Sequence, residues 1–174
     1  MLDACVLINI LASGRAQEIL TSSGYSFGIC TVVSKESIYL RASDPNAPAE
    51  AVDLNPLVQA GCLSVYGLEA SEEQAAYINY AADLDDGEAM TLALASCRGF
   101  LVSTDDRKAR RIFREDTGDA GRLLSTALIL KIWSKTAGLT APQIKELLFE
   151  ISTRGRFFPH SSDPEFAWWS KAIL

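Results

Sequence analysis

Residues 84–106, LDDGEAMTLALASCRGFLVSTDD, combine two patterns that indicate the fold. Three acids within four positions precede an uncharged run of small and aliphatic residues, which predicts a helix buried on most sides. GFLVST at 99–104 then predicts a short buried strand, and Asp105 and Asp106 follow it directly. A helix that leads into a strand ending in acids is typical of a parallel α/β sheet, whose sites lie at the carboxyl ends of the strands.

The acids that open this helix have an ordinary structural explanation. Asp85 fits an N-cap and Glu88, three residues later, fits a capping box, so both would satisfy free backbone N–H groups of the first turn. The helix dipole also favours acids there. Taken alone, the stretch favours a cap over a functional site, and only acids from other segments would change that interpretation.

The rest of the chain continues the alternation of strands and helices. After a very short first strand, further strands are predicted at 25–33, 61–68, 99–104 and 121–126. Helices are predicted after that first strand, ending near 12–14, and at 15–24, 34–42, 71–84, 84–95, 105–115, 127–138, 141–155 and 163–174, and a loop or helical detour at 43–56. Residues 1–174 are therefore predicted to form one doubly wound α/β/α domain around a mostly parallel sheet of four or five short strands.

Composition excludes several classes of protein. The chain is 48% hydrophobic and 22% charged, and it has no membrane-span-like apolar run and no signal-peptide pattern, which predicts a cytoplasmic protein away from membranes. Its net charge of −6 argues against generic, charge-driven binding of nucleic acid, but not against a nuclease whose acids bind metal ions. The cysteines lack C-x-x-C spacing and are predicted to be reduced core thiols: Cys5, Cys30, Cys62 and Cys97.

Acids from separate segments are predicted to meet at one edge of the sheet. Asp3 follows the first strand, and Glu36 lies about one turn into the helix predicted after the second. Because like charges raise each other's pKa, such a cluster calls for a cation, and oxygen donors without His or Cys favour Mg²⁺ or Mn²⁺. Such an ion can activate a water for displacement at phosphorus. The acids concerned are Asp3, Glu36, Asp86, Glu88, Asp105 and Asp106.

Four arginines follow the last of these acids at helical spacing. Arg107, Arg110, Arg111 and Arg114 recur at i, i+3, i+4 and i+7, which places them on one stripe beside the acids. Such a stripe would suit the phosphate backbone of RNA. A solvated face paired with Glu115 and Asp116, or arginines bonded to the acids themselves, explains the spacing equally well.

Four segments taken in order resemble the PIN-domain nuclease family. They are LDACVLINIL (2–11), SKESIYL (34–40), LDDGEAMTLALA (84–95) and LVSTDDRKARRI (101–112), and residues 121–148 look like the usual ending. The order is similar to that of the family: Asp after the first strand, Glu near residue 36, an acidic helix start, and Thr-x-Asp after a later strand. The short stretch before Asp3 indicates a truncated first strand or a late start of the sequence.

The resemblance implies a metal-dependent ribonuclease that uses a metal-activated water. Asp3, Glu36, and Glu88 or Asp86 would bind Mg²⁺ or Mn²⁺. Asp106 matches the Thr-x-Asp position, with Asp105 as the other possibility, and the Thr104 hydroxyl would orient the site. Many members are toxins of bacterial toxin–antitoxin pairs, so an RNA substrate, an antitoxin partner and a homodimer are expected.

Other interpretations fit the sequence less well or predict different behaviour. A PIN fold with an idle site would act as a binding partner. An aspartyl phosphatase needs D-x-D where this chain has Asp3-Ala4-Cys5, and a phospho-receiver needs a mid-chain strand that ends in Asp, which LSVYGLEA lacks. FAWW near the end of the chain predicts packing rather than base stacking, and His160 a structural role.

Overall fold

The computed structural model describes residues 1–36, 38–42, 44 and 46–174. Over these residues short strands and helices alternate, which confirms the predicted α/β class. The strands are β1 (Phe27–Cys30), β2 (Ile38–Leu40), β3 (Glu50–Val52), β4 (Leu63–Tyr66), β5 (Val102–Ser103) and β6 (Leu123–Leu124). The helices are α1 (Ala4–Ala12), α2 (Ala16–Ser22), α3 (Asn55–Gln59), α4 (Ser71–Ala81), α5 (Asp86–Arg98), α6 (Arg107–Thr117), α7 (Thr126–Thr136), α8 (Ala141–Arg154) and α9 (Phe166–Ile173).

Two parallel pairs of strands are joined through the first residues of the chain. β1 pairs with β4, and β5 pairs with β6, both in parallel. On one side of the opening segment, the Leu2 N–H donates to Gly28 O at 2.7 Å. On the other side, the Asp3 N–H donates to Ser103 O at 2.9 Å, and Leu2 forms a parallel bridge with Ser103. The opening segment is therefore held between β1 and β5, and this position determines where Asp3 lies.

The segment after β1 differs from its prediction. In place of a helix over 34–42 and a loop or helical detour over 43–56, the chain forms the antiparallel hairpin β2–β3, followed by α3. The reason is a period of two, since Ile38 and Leu40 are buried whereas Tyr39 between them is exposed. Ser37, Ser43 and Pro45, which fall within these predicted segments, lie outside the described residues.

Helix α5 forms where the sequence predicts it, and the Asp85 cap is confirmed. The Asp85 carboxylate accepts a hydrogen bond from the Glu88 N–H at 2.8 Å. At the other end, Gly99 has a φ of +70°, the left-handed conformation that commonly ends helices. Leu92 and Leu94 are fully buried along with the alanines beside them, so α5 lies inside the core.

The aromatic residues near the C-terminus pack into the core. Trp133 of α7 and Trp169 of α9 are both fully buried. The Phe157 ring meets that of Trp169 edge to face, with centroids 5.3 Å apart. The packing role predicted for the FAWW segment is therefore confirmed for Trp169. Among the described helices, none is long and apolar enough to cross a lipid bilayer.

All four cysteines are free thiols, but they are not all in the core. Cys30 and Cys62 are buried as predicted, and Cys5 is half-buried. Cys97 is exposed, so its predicted core position is wrong. It lies near the C-terminal end of α5, beyond the fully buried middle of that helix.

Candidate acidic site

Asp3 is a buried carboxylate held by three donors. It is 4% exposed, and its Oδ1 accepts from the Ala4 N–H at 2.7 Å, which caps α1. Its Oδ2 accepts from the Thr104 hydroxyl at 2.8 Å and from the Cys5 thiol at 3.0 Å. Burial raises the pKa of Asp3, while the hydrogen bonds from Cys5 and Thr104 act in the opposite direction. This carboxylate is thus fixed in position, and its ionisation is disfavoured by burial.

The Thr104 hydroxyl connects Asp3 with Asp106. While it donates to Asp3, it accepts a hydrogen bond from the Asp106 N–H at 3.1 Å. The Asp106 carboxylate in turn caps α6 by accepting from the Ala109 N–H at 2.8 Å. A single buried hydroxyl therefore aligns an acid at the start of α1 with an acid at the start of α6.

Glu88 lies in the first turn of α5 and is surrounded by other acids. Partial burial, followed by the negative charges of Asp85, Asp3 and Asp106, raises the pKa of Glu88 to about 7. Without a cation, a large share of Glu88 side chains would therefore be protonated at neutral pH. Of the acids predicted to converge, Glu88 and Asp106 therefore lie in the surroundings of Asp3.

Glu36 reaches the same place from a different backbone conformation than predicted. It ends a single 3₁₀ turn, Val33–Lys35, instead of lying within a helix. A Cβ added to Gly87 would lie 2.8 Å from Glu36 Oε1 and 3.5 Å from Asp85 Oδ1. The Glu36 carboxylate thus lies against the first turn of α5. Burial and the charges of Asp85 and Asp3 raise the pKa of Glu36. We call these five residues, Asp3, Glu36, Asp85, Glu88 and Asp106, the acidic cluster.

Two of the acids considered from the sequence are engaged elsewhere. Asp86 is exposed, and its Oδ1 accepts from the Tyr77 hydroxyl at 2.9 Å. Asp105 accepts from the Thr126 N–H at 3.0 Å, from the Thr126 hydroxyl at 2.6 Å and from the Asn9 amide at 3.2 Å. Burial raises the pKa of Asp105, opposed by the bonds from Thr126. The sequence left two choices open, Glu88 or Asp86 and Asp106 or Asp105. Glu88 and Asp106 lie in the acidic cluster, whereas Asp86 and Asp105 do not.

Sequence reasoning missed two contributors to the site. Asp85 was predicted only as a cap, yet its charge raises the pKa of Asp3, Glu36 and Glu88. The signal was present, because a residue that caps α5 must lie at the same turn as Glu88. Cys5 was predicted only as a reduced core thiol, although its thiol donates to Asp3. Its position two residues after Asp3, in the first turn of a helix, could have indicated that contact.

The arginine stripe of α6 divides into residues with different roles. Arg110 does not project toward a ligand, because its Nη1 donates to Thr104 O at 2.9 Å and to Leu124 O at 2.8 Å. Among the described residues, the ion pairs of α6 are Lys108 with Asp83 and Arg111 with Glu115. Arg107 and Arg114 are exposed and keep unpaired charges there. Only these two fit the predicted role in binding RNA without first breaking a contact.

The donor set fits a hard divalent cation, although it is not arranged around one. Carboxylate oxygens are the ligands that Mg²⁺ and Mn²⁺ prefer. Within the described part of the chain, no three His, Cys, Asp or Glu side chains are arranged to hold a metal ion. Mutual repulsion favours carboxylates that stay apart from one another, and a bound cation would remove that repulsion. Glu36 and Glu88 have the longest side chains of the cluster.

Comparison with protein-family models, with curated proteins and with solved structures gave no match to this chain.

Proposed function

We propose that this protein is a Mg²⁺- or Mn²⁺-dependent ribonuclease with a PIN-like fold. The observation that carries the proposal is the convergence of acids from four separate segments, with Asp3 and Asp106 joined by the Thr104 hydroxyl. Glu36 and Glu88 contribute the other two segments, and their raised pKa values reflect burial and that convergence. Charges gathered in this way oppose one another, which makes a role in stability alone a poor explanation.

The backbone hydrogen bonds of the opening segment support the PIN-like architecture. They give the order β4, β1, opening segment, β5 and β6 across the layer. We therefore propose that these short strands act as one sheet of five, within one domain over residues 1–174. Asp3 and Asp106 then lie at the carboxyl ends of adjacent strands, the usual place for a site in a parallel α/β sheet.

The residues of the cluster would divide the chemistry among them. Asp3, Glu36, Glu88 and Asp106 would hold the cation, and Thr104 and Cys5 would keep Asp3 in position. When bound, Mg²⁺ or Mn²⁺ activates a water for attack at phosphorus and neutralises charge on the phosphate oxygens. In such a hydrolysis the water oxygen would form a bond to phosphorus as the bond to the leaving ribose oxygen breaks; the water would release one proton to solvent, and the ribose oxygen would take one up from solvent. Asp85 caps α5 and adds negative charge that favours a cation.

The test is cleavage of a labelled RNA with Mg²⁺ or Mn²⁺ by the wild type, Asp3→Asn and Glu88→Gln, each checked for folding. We expect both variants to lose about 100-fold or more in rate, because several kcal/mol of charge stabilisation would be lost. Asp86→Asn is the matched control, since it removes an exposed acid from the same turn without touching the cluster. Equal loss of activity in Asp86→Asn would contradict the assignment of Glu88.

A second candidate is a PIN-fold binding partner whose acidic site is idle. It is favoured by the absence, within the described residues, of three side chains already arranged for a metal. Thermal unfolding with and without Mn²⁺ separates the two candidates, because an ion that binds the folded state raises Tm. A rise in Tm that disappears in Asp3→Asn and Glu88→Gln supports the nuclease. No rise in the wild type supports the idle partner.

The biological setting follows from the resemblance alone. A toxin role, an antitoxin partner, a homodimer and a cytoplasmic location remain predictions. Expression of the protein in growing cells, with and without Glu88→Gln, tests the toxin role directly. Growth arrest by the wild type and not by the variant is the expected result.

A further inference from the structure

We propose that Asp105, which lies outside the acidic cluster, is a positioning residue that prepares the cluster for a cation. Its carboxylate joins α1, the segment after β5 and the start of α7, and so holds Asp3 and Asp106 in place. This inference rests on the proposed function, because it names a residue on which the cation affinity of that same site depends. It also gives a reason for two adjacent aspartates after β5, of which only Asp106 belongs to the cluster.

The carboxylate of Asp105 accepts three hydrogen bonds from two buried residues. Its Oδ1 accepts from the Thr126 N–H at 3.0 Å, and its Oδ2 accepts from the Thr126 hydroxyl at 2.6 Å and from the Asn9 amide at 3.2 Å. The Asn9 amide also donates to the Thr126 hydroxyl at 3.1 Å, which closes a ring of three residues. Because an ionised acceptor forms stronger hydrogen bonds than a neutral one, this ring connects three segments of the chain tightly.

The ring holds helix α1, which begins at the Asp3 cap. Asn9 lies on the buried side of that helix. A second contact is made near its start, where the Asp105 N–H donates to Cys5 Sγ at 3.5 Å and the Cys5 thiol donates to Asp3 Oδ2 at 3.0 Å. Asp105 therefore contacts α1 at two points, and the Cys5 side chain alone separates it from Asp3.

Asp105 also restrains its two neighbours in the chain, Thr104 and Asp106. The Thr104 hydroxyl donates to Asp3 and accepts from the Asp106 N–H. Because consecutive Cα atoms are held about 3.8 Å apart, a shift of Asp105 would move both neighbours. The hydrogen bonds at the Asp105 carboxylate thus help to fix the hydroxyl that aligns Asp3 with Asp106.

Asp105 is better suited to this role than to binding the cation itself. Both of its carboxylate oxygens already accept hydrogen bonds from the chain. Burial raises the pKa of Asp105, while the bonds from Thr126 and the positive charge of Arg110 oppose that rise. Residues that hold metal ligands in place from outside the site typically change metal affinity about 10–100-fold when they are removed.

The test measures the Mn²⁺ affinity of the full chain by calorimetric titration and the stability of each metal-free variant by urea denaturation. Asp105→Asn replaces one acceptor oxygen by an NH₂ group that faces other donors, and we expect Mn²⁺ affinity to fall about tenfold. Adding Asn9→Asp exchanges the amide and the carboxylate across the same contact and keeps the net charge of the wild type. This double variant should recover most of the lost affinity.

The hydroxyl of Thr126 provides a test that changes no charge. Thr126→Val removes the hydroxyl with little change of shape and should also weaken Mn²⁺ binding, but less than Asp105→Asn, because the backbone N–H still donates. Thr126→Ser keeps the hydroxyl and should bind Mn²⁺ as the wild type does. This pair of variants decides the question if Asp105→Asn does not fold, and equal affinities in the pair would overturn the inference.

Two control variants separate positioning from general effects. Asp86→Asn removes a negative charge from the same turn as Glu88 but outside the cluster, so it measures the effect of charge alone. Arg98→Ala breaks the ion pair with Glu73 at the other end of α5, so it measures the effect of lower stability alone. Both should bind Mn²⁺ with nearly wild-type affinity. A loss in Asp105→Asn no larger than in these controls would overturn the inference.

RNA cleavage by the same variants separates this inference from the nuclease itself. Metal-dependent cleavage by the wild type, with Mn²⁺ affinity unchanged in Asp105→Asn, would leave the nuclease and overturn the positioning role. Mn²⁺ binding that depends on Asp105, without cleavage of RNA by the wild type, would support the positioning role and contradict the nuclease. No Mn²⁺ binding by the wild type would overturn both.

Discussion

The two ends of α5 hold glutamates in opposite electrostatic situations. At the C-terminal end, Arg98 donates to Glu73 of α4 through Nε at 2.6 Å and Nη2 at 3.0 Å. These bonds, aided by backbone N–H groups at the start of α4, lower the pKa of Glu73 to about 2. At the N-terminal end, Glu88 is partly buried among carboxylates, and its pKa rises to about 7.

The difference separates charge that stabilises the fold from charge that does not. Glu73 receives its cation from the chain and helps to hold α4 against α5. The acidic cluster receives none from the described residues, so any cation that neutralises it must come from solution. A cluster of like charges that lowers the stability of the fold when no cation is bound, and that the core holds in place, is typical of a functional site.

Removing Arg98 should have the largest effect on stability. Arg98→Ala leaves the buried Glu73 carboxylate without its partner, and we expect a loss of about 2 kcal/mol in the free energy of unfolding at pH 7. Urea denaturation measures it. Arg111→Ala is the matched control, because its pair with Glu115 is exposed and should contribute less than about 0.5 kcal/mol.

The same pair gives a defined response to acid. The folded-state pKa of Glu73 lies below its ordinary value of 4.5, so its stabilising contribution is present above pH 4.5 and is lost as the pH falls toward 2. Arg98→Ala should therefore lose less stability than the wild type over that range. Parallel curves for the two proteins would show that this pair does not stabilise the fold.

Removing the charge of Glu88 should have a smaller effect of opposite sign. Without divalent cations, Glu88→Gln should raise the free energy of unfolding by about 1 kcal/mol at pH 8, after allowing for solvent screening of a half-exposed group. The folded-state pKa of about 7 lies above the ordinary 4.5, so the difference should vanish below pH 4.5 and grow as the pH rises through 7. Mn²⁺ should reverse it, because only the wild type gains from binding. Thermal unfolding at several pH values, with and without Mn²⁺, measures both; a destabilised variant at pH 8 would contradict the repulsion argument.

The smallest expected effect on stability comes from Gly87→Ala. A methyl group at this position would lie 2.8 Å from Glu36 Oε1, so the glutamate side chain must move, while alanine favours the helix. We expect the free energy of unfolding to change by less than about 0.5 kcal/mol and Mn²⁺ affinity to fall about tenfold. Calorimetric titration measures the affinity. In a Glu36→Gln background, Gly87→Ala should cause little further loss.

The sequence predicts elements where one strong local pattern operates. The uncharged run after Glu88 and the aspartate before it are sufficient to predict α5 and its cap. The segment after β1 is predicted wrongly, because residues 34–42 contain a helical spacing and a strand alternation together. Pairing with β3 decides between them, and β3 lies within a proline-containing segment.

The sequence predicts where the acidic cluster lies, but not which of the neighbouring acids belong to it. Acids at the ends of strands indicate where the cluster lies, yet Asp105 and Asp106 are adjacent and alike in sequence. Thr126 and Asn9, which are distant in the chain, donate hydrogen bonds to Asp105, whereas the charge of Asp106 raises the pKa of Glu88. Helical spacing likewise aligns four arginines without showing that Arg110 is bonded to carbonyl groups.

The position of the opening segment has a consequence for biosynthesis. Asp3 reaches its place only when the strand that ends at Ser103 is present beside it, and its bond to Thr104 spans 101 residues of sequence. At about 5–20 residues per second, roughly 5–20 s separate the synthesis of these two residues. Closing a loop of that length costs conformational entropy before the contact can form. The proposed nuclease would therefore have no assembled centre until Thr104 has left the ribosome.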